Sequence, residues 1–177
     1  METNKLKKFR RALFRYLLYG GILVFSEVAF YTVTKIGKLL PDFISWFFDY
    51  GWRVDPSLQL NTMWDDGIVP IKTLYGQASL WMFFVYATIC LFFLEPAHKK
   101  LRGKSWILRG TIYMSIILFM ECSLGWVLYW LTGYMIWYYD DPLNIFTFTS
   151  LSIAPMWFVV GLVSENVSRL VFALTRS

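Results

Sequence analysis

A single histidine, His98, stands in a chain of 177 residues, and it falls in a basic stretch. The side chain that most often binds metals or moves protons near neutral pH is therefore almost missing. Glu-x-x-His occurs once, at Glu95 and His98, and a di-iron carboxylate bundle needs it on each of two helices, so that ligand set is excluded. No glycine-rich loop leads into Lys followed by Ser or Thr, so an ATPase site of that type is excluded as well. Neither a Ser-His-Asp nor a Cys-His set can be assembled inside the apolar segments. The 2 cysteines, Cys90 and Cys122, lie in apolar stretches without metal-ligand spacing. They give no sign of a disulfide framework and read as buried structural thiols. These gaps leave no catalytic residue, no metal site and no cofactor to expect.

What the chain has in quantity is apolar surface: 57% of its residues are hydrophobic and 20% aromatic, with a mean hydropathy of +0.48. A soluble domain is about 45–50% apolar, and so short a chain has too few polar residues to cover its own greasy surface. A lipid solvent is the simpler reading. The formal charge of +5 does not point to nucleic acid, because the charges collect at the borders of long apolar runs. That pattern sets topology and attracts anionic lipid.

A membrane span needs about 20 mostly apolar residues. Four stretches meet this: 16–34, 74–94, 106–131 and 145–174. The expected fold is an all-α membrane protein, a single four-transmembrane-helix bundle over residues 1–177. The apolar run after the basic start is long enough to span, and no small-residue cleavage site comes after it, so it reads as a retained first helix. Lys5, Lys7, Lys8, Arg10, Arg11 and Arg15 precede the first span, and Lys99, Lys100, Arg102 and Lys104 separate the second from the third. The connection 133–144 has no basic residue and carries Asp140 and Asp141. The positive-inside rule then expects a multi-pass protein with both termini and the loop 95–105 in the cytoplasm, in a bacterial inner membrane or a eukaryotic membrane. The external loop 35–73 begins with an aromatic segment, 41–52, in which Phe43, Trp46, Phe47 and Tyr50 share a helical face. It is too short to span and is expected as an interfacial helix, with a plug over the bundle mouth as the competing reading.

Glu27 and Glu121 are the acids set well inside spans, away from the span ends where Arg109, Glu165 and Arg169 stand. An acid at the bilayer centre costs roughly 2.5–3.5 kcal/mol on insertion scales and persists where it faces the interior. Glu27 is expected about 10 Å, and Glu121 about 15 Å, below the outer ends of their helices, so the two could share a layer. They are candidates for binding a proton or cation; alternatively they hold helices in register. Arg109, Glu165 and Arg169 are expected as a structural ion-pair group, with Arg109–Glu165 or Glu165–Arg169 as the pair. Gly20, Gly21 and Gly125 stand where close helix packing would use them. In the outer turn, Trp137, Asp140, Pro142 and Asn144 form an aromatic and acidic motif, with Asn144 placed to cap the last helix.

Through Tyr19-Gly20 and Glu27, Ser79-Leu80-Trp81, Tyr86, Glu95, Arg109, Glu121 with Gly125, Trp137, Pro142, Asn144, Trp157 and Glu165, the chain resembles the transmembrane protein 229 family and its bacterial relatives, which carry an ABC-transporter type IV label. The resemblance covers most of the chain outside the N-terminal tail and the first external loop. Where the family's outer turn reads Trp-Asp-Tyr, this chain has Trp137-Tyr138-Tyr139-Asp140, and where bacterial relatives have glycine it has Thr147. The resemblance implies a small helical membrane protein and little chemistry. The leading expectation is a non-catalytic component, an accessory subunit or small transport-related protein. Its expected partners are membrane lipid and another membrane protein or a second copy. An ion- or proton-coupled transporter or channel using Glu27 and Glu121 is the first alternative. A lipid-binding or lipid-modifying protein is the second.

Overall fold

The computed structural model describes residues 4–37, 52–53 and 79–175. The protein is all-α, with four helices long and apolar enough to cross a membrane, as in a multi-pass membrane protein. Helix α1 runs over Asn4–Gly37. Strand β1 is Trp52–Arg53, and helix α2 covers Leu80–Lys100. Helix α3 is Trp106–Thr132. The short strands β2 (Tyr138–Tyr139), β3 (Asn144–Ile145) and β4 (Thr149–Ser150) come next. A 3₁₀ turn, Leu151–Ile153, leads into helix α4, Ala154–Leu174.

Three boundaries differ from the sequence expectation. The first helix begins at Asn4 rather than at 16, because its basic residues, Leu and Ala are good helix formers and continue the helix beyond the apolar run. The second continues to Lys100, so Glu95, His98 and Lys99 are helical residues and not part of a loop. The last begins only after Ile153, because 144–150 fold into a small β-hairpin in which Asn144 pairs with Ser150 and Ile145 with Thr149. Asn144 therefore does not cap α4; its side-chain oxygen accepts the Thr147 N–H at 2.8 Å. The expected interfacial helix lies outside the described residues, except that its last residue, Trp52, belongs to β1, which pairs antiparallel with β2.

Within α2, Ile89–Leu94 is π-helical, and the Glu95 N–H reaches back five residues to the Cys90 carbonyl. Pro96 explains the wider turn: its ring crowds the carbonyl four residues earlier and offers no N–H to it. The extra residue rotates the remainder of the helix by about 100°, and Glu95 comes out only 4% exposed. Helix α3 starts at a Ser105 cap, whose Oγ accepts the Leu108 N–H at 3.3 Å. It stops at Gly133, whose φ of 75° suits the residue just past a helix end.

The chain forms two compact units. One comprises Met1–Leu23, Leu80–Met120 and Ala154–Ser177; the other comprises Val24–Ser79 and Glu121–Ile153. The core of the first includes Tyr19, Val85, Leu94, Tyr113 and Val171, all buried. The core of the second includes Trp137, Tyr139, Phe148 and Ile153.

Candidate functional site

The first unit gathers polar side chains from all four long helices. Glu95 of α2 is contacted by Arg15 of α1 at 3.5 Å and by Lys99, one turn along its own helix, at 3.1 Å. Its other oxygen accepts the Tyr19 hydroxyl at 3.3 Å. The Phe172 ring of α4 lies beneath both cations, 4.9 Å from the Arg15 guanidinium and 4.6 Å from the Lys99 ammonium. An aromatic face attracts both electrostatically, so α1, α2 and α4 meet around one carboxylate.

Glu165 of α4 is bound in the same way. Arg109 of α3 donates to both of its oxygens, at 2.8 and 2.7 Å, and the Tyr113 hydroxyl adds a third bond at 2.8 Å. Arg169, one turn on, stands at 3.9 Å. Of the two ion-pair readings open for Glu165, the Arg109 contact is the short, hydrogen-bonded one. Arg169 contributes charge at the edge.

The third polar group of this unit centres on His98 of α2. Ser164 sends its proton to the Gly161 carbonyl at 2.6 Å, so its oxygen is left to accept from His98 Nε2 at 3.1 Å. Nδ1 then accepts from Ser168 at 3.0 Å. The ring stands edge-on to Tyr113, with centroids 4.7 Å apart. Both ring nitrogens are engaged, and the imidazole joins α2 to α4. Sequence reasoning places His98 in a loop and gives no role to Glu95, Tyr113 or the two serines. Pro96 is the signal for the shifted helical phase. Ser164 and Ser168, one turn apart on α4, offer the matching face.

In the second unit Glu121 is 8% exposed. Tyr139 donates to one of its oxygens and Thr149 to the other, each at 2.8 Å. Both donors come from the β-hairpin region, so Glu121 fastens that segment to α3. Gly125 makes this approach possible: a Cβ there would lie 2.5 Å from the Phe148 Cβ. Phe148 is 1% exposed, and its ring meets Trp126 and Trp137 edge-on. The Trp137 indole donates to the Phe148 carbonyl at 2.9 Å.

Of the outer-turn motif, Trp137 is buried, while Asp140 and Pro142 are exposed. Asn144 bridges the segment, donating to the Tyr139 carbonyl and accepting from Thr147. The acid that anchors the turn is Asp141, which accepts the Ser150 hydroxyl at 2.7 Å and the Leu143 N–H at 2.9 Å. Phe146 and Thr147 have φ of 50° and 71°, the left-handed region that a β-branched residue rarely enters. Glu27 is half-buried on α1 and belongs to the same unit as Glu121.

Among the described residues, no group of three or more His, Cys, Asp or Glu could hold a metal ion. The arrangement defines a class: a multi-span helical protein whose buried acids bind its own helices and hairpin. No protein family, curated protein or solved structure matches the chain.

Proposed function

We propose that the protein is a non-catalytic integral membrane component, an accessory subunit or a small transport-related protein, that acts through helix contacts with another membrane protein or a second copy. The supporting observation is the state of two buried acids, Glu95 and Glu121, and of the half-buried Glu165. Glu95, Glu121 and Glu165 each receive two or more donors from the chain itself, and His98 has both nitrogens engaged. Such groups hold helices together and offer little to a substrate. Each unit exposes large apolar side chains: Phe92 and Phe119 in the first, Phe25 and Trp130 in the second. The basic residues at the start of α1, the end of α2 and the start of α3 support cytoplasmic termini. The resemblance read from the sequence rests on many of the same residues and adds no activity.

The test is the mass of the particle extracted from native membranes in mild detergent. The expected result is a defined assembly holding a second membrane protein or a second copy. A strictly monomeric chain would overturn the reading.

One observation favours a second reading, proton or cation coupling. Two of the donors on Glu121 are hydroxyls, whereas Glu95 and Glu165 face cations. Hydroxyl partners can serve a carboxylate or a carboxylic acid, since either group can reverse its donor and acceptor roles.

A further inference from the structure

Glu95 and Glu165 are the only acids among the described residues of the first unit. Each is shared by two cations, one sheltered and one outward; the shorter contact is Lys99's at Glu95 and Arg109's at Glu165. One is a largely sheltered arginine from a neighbouring helix, Arg15 or Arg109, with side chains 21% and 24% exposed. The other is an outward cation one turn along the acid's own helix, Lys99 or Arg169, with side chains 60% and 74% exposed. Each group holds two cations and one carboxylate, so each is left with one positive charge, and the outward cation stands at its exposed edge. No further acid among the described residues of this unit can neutralise it. Among the described residues of this unit Lys7, Lys8, Arg11, Lys100, Arg102 and Lys104 are exposed as well and add the same sign.

A surplus cation at the end of a membrane span is stabilised by an anion held at the same depth, and the phosphodiester of a lipid headgroup is the anion that a bilayer supplies there. The adjoining surface suits acyl chains: Phe9, Leu13 and Leu17, spaced four apart along α1, are all exposed, as are Leu170 and Leu174 on α4. From this juxtaposition we infer that Lys99 and Arg169 form headgroup sites for anionic phospholipid, each the outward cation of a group with two cations and one carboxylate. The inference needs membrane insertion and does not depend on whether the protein serves as a subunit.

The experiment uses the full chain, purified in detergent and offered mixed phosphatidylglycerol and phosphatidylcholine; tightly retained lipid is then measured by mass. Wild type is expected to retain phosphatidylglycerol selectively. Each basic group near an anionic lipid surface is worth roughly a fivefold change in affinity, so Lys99→Gln with Arg169→Gln is expected to weaken retention by about thirtyfold. Lys5→Gln with Lys8→Gln, which removes the same charge elsewhere, is expected to change it far less. Helical circular dichroism and size exclusion verify the fold. If the Gln pair fails to fold, Lys99→Arg with Arg169→Lys must keep selective retention, and its loss there would overturn the inference. Equal retention of phosphatidylcholine by wild type would also overturn it, as would an equal effect of the Lys5/Lys8 pair. Displacement of the lipid by millimolar inorganic phosphate would reassign the site to free phosphate and overturn the lipid reading.

Discussion

Arg109 holds Glu165 through both carboxylate oxygens, and the two side chains are 24% and 12% exposed. Removing one member of a sheltered pair leaves the other charged and desolvated, a loss of roughly 3 kcal/mol. Arg109→Ala is therefore expected to be strongly destabilising in detergent unfolding, and a double-mutant cycle with Glu165→Ala should show coupling of about 1–3 kcal/mol. Arg169→Ala should be nearly silent in the same assay, since its contact is 3.9 Å long and its side chain mostly exposed. Thr147 makes a different residue-scale test. Its φ of 71° strains a β-branched residue, so Thr147→Gly is expected to be tolerated or to stabilise by up to about 1 kcal/mol, read as a rise in melting temperature. A clear loss of stability would mean that the Thr side chain matters more than the backbone strain.

Helix contacts at single glycines set the next scale. At Gly125 an added methyl would meet the Phe148 Cβ, which cannot swing aside as a ring tip can; at Gly21 it would meet nothing within 4 Å. Gly125→Ala should cost about 1–3 kcal/mol, and Gly21→Ala should be neutral or stabilise by up to about 1 kcal/mol. Thermal melting of the two variants side by side checks the contrast, and equal effects would contradict the packing described. The sequence distinguishes neither glycine from the other, because it shows a small residue and not what lies opposite. The spans themselves are legible, since twenty apolar residues bounded by charge have few other readings. Pro96 hides the end of α2: it looks like a helix stop and acts as the cause of a π-helical turn that carries Glu95 inward. The hairpin at 144–150 is hidden too, because its apolar residues continue the hydropathy of α4, and only the pairing of Asn144 with Ser150 separates them.

At the scale of the whole molecule, four apolar helices are held by acids that the chain itself satisfies, and the proposed function rests on that self-sufficiency. Orientation is open to a direct check. Cysteines introduced at Lys8 and Lys100 should be labelled only from the cytoplasmic side, and one at Asp141 only from outside, as the basic borders require. Labelling of position 100 from outside intact cells would reverse the proposed topology. The central claim, that the intramembrane glutamates bind helices and hairpin and form no pathway, is tested most directly by ion flux. Purified full-length chain reconstituted into vesicles under a proton or alkali-cation gradient is predicted to conduct no faster than empty vesicles. Flux well above that background, abolished by Glu121→Gln in a protein that remains folded and inserted, would contradict it.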